Sequence, residues 1–186
     1  MVAPLSRPGV PGGSVAHLDY DRAKIQMLTR TDWERAWRAN AVSKEPWTVK
    51  WIETMGPGDV LWDLGANTGP YSLIAAARGN AVVAVEPGYR NYSALCDNLK
   101  LNPALAGRVI PLPVAVGASV GVQSFAYGAV DAGAASHSLG AGCEVNECLP
   151  VGTLLVSGSA LGRRVECEMM TTEVERMMRE RVQRGG

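Results

Sequence analysis

One stretch constrains this chain more than any other: Asp59 to Glu86, DVLWDLGANTGPYSLIAAARGNAVVAVE. It opens with a short apolar run, Val60-Leu61-Trp62, which ends on Asp63 and leads into Gly65-Ala66-Asn67-Thr68-Gly69. Tyr71 to Ala77 are small and apolar enough to hold a helix, and a second apolar run, Ala81 to Val85, stops on Glu86. Strand, glycine turn, helix, strand and acid make one βαβ unit, with the acid about twenty positions past the first glycine. That is the spacing of a nucleotide-binding half-sheet. There the turn lets a ligand approach backbone N–H groups, and the acid after the second strand accepts hydrogen bonds from ribose hydroxyls.

The turn narrows the choice of ligand. A dinucleotide fingerprint, G-x-G-x-x-G, uses its middle glycine to make room for a pyrophosphate, and here that position is Asn67. A Walker loop needs Gly-Lys-Ser/Thr, which Thr68-Gly69-Pro70 does not supply. Asp63, just before the turn, puts a carboxylate near the ligand, where it repels a phosphate and suits a cation. S-adenosylmethionine carries a ribose, a sulfonium and an ammonium, and no phosphate. An acid before the turn and another after the second strand fit it better than NAD.

Asp63-Leu64-Gly65-Ala66-Asn67-Thr68-Gly69, followed by Val85-Glu86-Pro87 and then Asn98-Leu99-Lys100-Leu101-Asn102, resembles the FkbM family of class I methyltransferases. Lys44-Glu45-Pro46-Trp47-Thr48-Val49 stands where that family often has a Glu-Pro pair opening a helix. The resemblance covers residues 44–117, and weakly the segment before it. It implies a Rossmann-like class I methyltransferase sheet with helices on both faces, S-adenosylmethionine as cofactor, and O-methylation of a small molecule or sugar. It also implies that the helix after Glu45 lies across the ligand pocket, with Glu45 meeting the ammonium group. On the residues alone, Glu45 only favours a helix N-terminus through the dipole. The expected cofactor-binding set is Glu45, Asp63, Gly65, Ala66, Asn67, Gly69, Tyr71 and Glu86. Asn67 also tolerates a left-handed backbone and so suits the turn itself, and Tyr71 packs either on the cofactor or only on the sheet.

Composition sets the remaining bounds. A chain of 186 residues with 47% hydrophobic residues suits one globular domain. Eighteen basic and 18 acidic residues cancel, which indicates neither nucleic acid nor an anionic membrane as partner. No apolar run approaches the ~20 residues of a membrane span. The first fourteen residues, rich in proline and glycine, read as a disordered tail rather than a signal peptide, so a cytoplasmic location is expected. Cys96, Cys143, Cys148 and Cys167 lack CxxC spacing and read as free thiols with no metal site.

The expected organisation is a tail (1–14), a strand and helix leader (15–58), a Rossmann-like domain (59–162) and a helical C-terminal tail (163–186). Partial alternation from Val15 to Thr29 suggests one or two short strands. Thr31-Asp32-Trp33-Glu34 reads as a capping box opening a helix to about Ala41. Ser43 then caps a second helix with Pro46 in its first turn and Trp47 and Trp51 on one face. After Pro87-Gly88, a helix is expected from Tyr89 to Leu101, on which Asp97 and Asn98 read as surface and packing residues. Val109 to Val116 reads as a third strand that Pro111 and Pro113 demote to a sheet edge. Gly121 to Tyr127 suggests a short strand, Gly128 to Gly142 a loop, Val151 to Val156 a buried strand, and Thr171 to Arg184 a charged helix.

FkbM-type enzymes continue to a fourth strand ending in an acid and followed by Glu-Gly. Val151 to Val156 lacks that acid, so the sheet is expected to be incomplete on its C-terminal side. Two alternatives therefore stand beside the methyltransferase: a non-catalytic or truncated module that binds the same cofactor, and a nicotinamide-dependent oxidoreductase, which Asp63 and Asn67 oppose. The sequence designates no general base, since His137 and Asp131 lie in a Gly/Ala/Ser loop that nothing fixes near a methyl donor.

Overall fold

Alternation of apolar runs with proline and glycine breaks sets the order of elements in the computed structural model, which describes residues 13–30, 32–117, 121–126, 138–139 and 148–155. β1 (Ser14–His17) and β2 (Gln26–Thr29) form an antiparallel hairpin, the two short strands that the alternation predicts. Three short helices follow: α1 (Asp32–Trp37), α2 (Ala41–Lys44) and α3 (Pro46–Glu53). The central unit is β3 (Val60–Leu64), α4 (Pro70–Ala77), β4 (Ala81–Val85), α5 (Tyr89–Leu101), α6 (Pro103–Ala106) and β5 (Val109–Leu112). Beyond it come β6 (Val114–Gly117), β7 (Gly121–Ala126), β8 (Ser138–Leu139) and β9 (Cys148–Leu155).

β3, β4 and β5 form a parallel three-stranded sheet in that order, so the described residues are mixed α/β, consistent with a Rossmann-like fold. Both crossovers step the same way along the sheet, and crossovers of one hand then put their helices on one face. The core agrees. Leu61, Val82, Ala84 and Val109 from the strands pack with Leu73 and Ile74 of α4, Leu95 and Leu99 of α5, and Ile25 and Met27 of the hairpin segment. The opposite face gathers Ala81, Val83, Val85 and Ile110 against Trp62, Leu112 and Val114, all residues of strands. The expectation of helices on both faces is therefore met on one face only among the described residues. No strand among them pairs with the outer edge of β3.

Four boundaries differ from the sequence reading. The helix expected to run to Ala41 stops at Trp37, where Asn40 Nδ2 donates to the carbonyls of Arg35 and Ala36. Asp19 starts the next helix by accepting from Val42 N at 2.9 Å and Ser43 N at 2.8 Å. Ser43 thus lies inside α2 rather than capping α3, whose N-cap position is Glu45. The reach-back of Glu34 ends on Arg30 N at 2.5 Å, one residue beyond the expected Thr31, which is outside the described residues. The third strand splits into β5 and β6 at Pro113, which has no N–H to donate, and β5 is an edge of its sheet as expected. β6 instead joins a second sheet of order β6-β9-β7-β8. β9 starts at Cys148, earlier than the strand expected at Val151. His137, Asp131 and residues 171–184 lie outside the described residues.

What fixes the hairpin to the sheet layer is a pair of amides on α5. Asn98 Oδ1 accepts from Leu28 N at 2.7 Å. Asn102 Oδ1 accepts from Gln26 N at 2.9 Å while its Nδ2 donates to Gln26 O at 2.7 Å. Two residues of strand advance about 6.6 Å and four residues of helix about 6 Å, so amides one helical turn apart match alternate residues of a strand edge. The outer edge of β2 is thereby paired without another strand. Asn98 also donates from Nδ2 to Thr68 O at 2.8 Å, which ties the hairpin to the glycine turn. Asn98 is completely buried, so the packing role expected for it is realised through three-way hydrogen bonding. Asp97 beside it is a surface residue paired with Arg30 and Lys100.

Asn98→Ala leaves a donor on Leu28 and an acceptor on Thr68 buried and unpaired. It should cost roughly 2–4 kcal/mol in urea unfolding, against a change within about 0.5 kcal/mol for exposed Lys100→Ala. Equal effects of the two substitutions would show that the amide bridge contributes nothing.

Candidate functional site

The carboxyl ends of β3 and β4 meet at the turn 65–69, whose backbone is left-handed at three of its residues: Gly65 (φ 82°), Asn67 (φ 54°) and Gly69 (φ 88°). Gly69 is needed twice over, since a Cβ there would also overlap the side chain of Leu95 on α5. Around Gly65 no atom lies within 4 Å of a Cβ position, so the backbone there faces open space. Asn67 accepts the left-handed conformation because its Oδ1 takes Thr68 N at 2.9 Å.

Every N–H of this turn is used internally. Gly65 N and Ala66 N donate to Val85 O at 2.9 and 3.0 Å, and Gly69 N donates to Ala66 O at 2.8 Å. Asn67 N donates to Glu86 Oε2 at 2.8 Å, and Thr68 N to the Asn67 side chain. The start of α4 is screened as well: Pro70 has no N–H, and Asp63 accepts from Ser72, whose Oγ lies 2.5 Å from Asp63 Oδ2. The nest of amides that a phosphate requires is absent from the turn. The reading that its N–H groups face a ligand is corrected accordingly.

What the turn presents instead is carboxylate. Glu86 is 3% exposed; besides Asn67 N it accepts from Gly88 N at 2.7 Å and from Asn91 Nδ2 at 3.5 Å. Burial pushes the Asp63 carboxyl above the ordinary Asp value, the Ser72 bond opposes that rise, and the nearby charge of Glu86 adds to it. Glu45 lies at the rim, ion-paired with Lys44 at 2.9 Å. The bond to Lys44 holds its pKa below the ordinary Glu value, and a hydrogen bond with Tyr71 adds to this. Tyr71 Oη donates to Ala41 O at 3.2 Å, and burial first, then Glu45, raise its phenol well above the usual Tyr range.

The structure therefore brings Glu45, Asp63, Tyr71 and Glu86 together around the turn. Ala66 is buried in the core, and Gly69 serves backbone conformation and the close approach of Leu95. One residue of this cluster is missing from the sequence reading. Arg38, on the turn after α1, is linked electrostatically to Tyr71, Glu45, Glu86 and Glu34, while burial of its guanidinium lowers its pKa. Nothing in the motif spacing points to it, because its neighbours come from three separate segments. Ser72 was missed for the opposite reason, as one small residue in a run of small residues.

Half of the chain is similar to the hexuronic acid methyltransferase AglP of Haloferax volcanii, at 33% identity over 93 residues, which make up 50% of this chain and 37% of that protein. The chain thus spans little more than a third of the curated relative it matches. Over that stretch the relationship is to a methyltransferase. No family model and no solved structure matches the chain.

Asp63 generates a pH prediction. A carboxyl whose folded pKa is raised binds its proton more tightly in the native state, so stability falls as pH rises from the unfolded value of 3.8 through the folded one. Asp63→Asn keeps an acceptor for Ser72 and removes the titration. The stability of the wild type relative to this variant should be greatest at about pH 3 and decline toward neutrality in urea titrations. A difference that grows with pH would show the ionised carboxylate to be the stabilising form.

Proposed function

We propose that this chain is an S-adenosylmethionine-dependent methyltransferase of the FkbM type, with a class I Rossmann-like sheet, that O-methylates a small molecule or sugar. The observation that carries the proposal is the accounting of the turn. Its five N–H groups are spent on the protein, and the charges gathered around it are mostly carboxylates. A pyrophosphate would find no amide cradle there and a repulsive field, which disfavours NAD. A ribose joined to a sulfonium and an ammonium meets acceptors throughout.

The donor set fits that cofactor. Glu86 accepts Asn67 N on Oε2, and Gly88 N and Asn91 Nδ2 on Oε1; an ionised carboxylate has about four acceptor sites, which leaves capacity on Oε2 for a ribose hydroxyl. Glu45 and the second oxygen of Asp63 are the acceptors for the ammonium group. Gly65, with open space over its backbone, admits the body of the ligand. When bound, the cofactor would supply an electrophilic methyl group for transfer to the acceptor oxygen, with a neutral thioether as leaving group and the hydroxyl proton passing to solvent. The work left to the protein is chiefly alignment. The name of the relative, a hexuronic acid methyltransferase, favours a sugar acid as the acceptor.

The test is a melting series with S-adenosylmethionine, S-adenosylhomocysteine and NAD. Each is added at about a hundredfold its dissociation constant, where a true ligand adds roughly 2.7 kcal/mol. Stabilisation by both adenosyl compounds and not by NAD is expected. A response to NAD alone, or cooperative melting unmoved by all three, would overturn the proposal.

A further inference from the structure

We propose that α3 carries the subsite for the methyl acceptor, where an anionic sugar stacks on Trp47 while its carboxylate meets Lys50. The inference rests on the function proposed above and adds residues outside the cofactor set. α3 buries Val49 and Ile52 and turns its other side outward. On that side Trp47 is 77% exposed and Trp51, one turn on, is 58% exposed. An indole is one of the largest apolar side chains, and two left in water on one helix face mark a binding surface.

Charge, position and shape select a sugar acid as the occupant. Lys50 Nζ lies 4.6 Å from the centre of the Trp47 ring, within cation–π range. The acids at either end of the helix are already paired, Glu45 with Lys44 at 2.9 Å and Glu53 with Arg22 at 3.2 Å. Among the described residues Lys50 has no carboxylate partner. One uncommitted cation beside an indole matches one carboxylate on an otherwise uncharged ring, whereas an anionic membrane would require several.

Two hydrogen bonds fix where the platform lies. Tyr71, in the first turn of α4, donates to Ala41 O at 3.2 Å, at the start of the short helix leading into α3. Arg78, just past the last turn of α4, donates from Nη2 to Glu53 O at 2.7 Å, at the end of α3. The two helices therefore run side by side in the same direction. That puts the first turn of α3, with Trp47 two residues past Glu45, at the same end of the sheet as the glycine turn. Trp51, about 6 Å further along the axis, extends the platform away from the rim. The electron-rich face of an indole suits the weakly positive C–H bonds on one side of a pyranose ring.

NMR of the indole N–H groups on the full chain tests this, with D-glucuronate, D-glucose and acetate as probes, each with and without S-adenosylhomocysteine. Glucuronate should shift the Trp47 resonance and bind about tenfold tighter than glucose, and acetate should leave that resonance unmoved. Trp47→Ala, at an exposed position, should weaken glucuronate binding about tenfold, and Lys50→Gln should reduce it to the level of glucose. Equal binding of glucuronate and glucose by the wild type, or a glucuronate affinity unchanged in either variant, overturns the inference. So does a Trp47 resonance that moves with protein concentration and not with glucuronate, which would make this face a contact between copies. If S-adenosylhomocysteine shifts the spectrum while glucuronate leaves Trp47 unmoved, the proposed function stands and the subsite falls. If S-adenosylhomocysteine has no effect, the proposed function falls, and the platform falls with it as a methyl-acceptor subsite.

Discussion

The turn between β3 and α4 must satisfy five backbone N–H groups while three of its residues hold a left-handed backbone, and much of the structure is arranged to meet that demand. β4 supplies Val85 O for two of them, Glu86 supplies a carboxylate oxygen for a third, and the turn closes the rest upon itself. The Thr68 carbonyl is met by Asn98 from α5. A buried polar group left without a partner costs about 1–3 kcal/mol, so the stability of a turn this dense in polar groups depends on β4 and α5. The βαβ unit is therefore held at its ligand end by hydrogen bonds and at its centre by Val82, Ala84, Leu73, Ile74 and Leu95.

The same logic extends to the leader. An isolated two-stranded hairpin is marginal in water, and its open edge invites mispairing. Here α5 lends β2 two amide side chains in place of a neighbouring strand, and Ile25 and Met27 bury themselves completely beneath it. The hairpin and the short helices after it are thus part of one core with the sheet. Through that packing Arg38, Ala41 and Glu45 arrive beside Tyr71. The Arg38 side of the candidate site depends on the leader as much as on the glycine turn.

Electrostatics gives the site its character. The charge of Glu86 acts on the ionisation of Asp63, and both carboxyls bond to backbone or side-chain donors of the turn and α4. These acids have structural work, and that does not remove them from binding, since each carboxylate keeps acceptor sites beyond its internal bonds. With the amides of the turn directed inward, the acids are the groups this end of the sheet presents.

By itself the sequence determined the βαβ unit, the helix from Tyr89 to Leu101 and the hairpin before it, because these follow from local periodicity and from glycine and proline breaks. It also placed Asp63, Asn67 and Glu86 around one turn, since parallel strands joined by a short crossover bring their carboxyl ends together. The tertiary structure alone decided which partners those residues take. The split of the first helix depends on Asp19, more than twenty positions upstream of the residues it caps. Asn98 looks like an ordinary helix residue until Leu28, 70 positions away, donates to it. Arg38 comes into the field of Tyr71, Glu45 and Glu86, which lie on separate segments. Propensity and spacing act over a few residues, whereas hydrogen-bond accounting and charge fields act between segments that folding brings into contact, which is why the first could be read along the chain and the second could not.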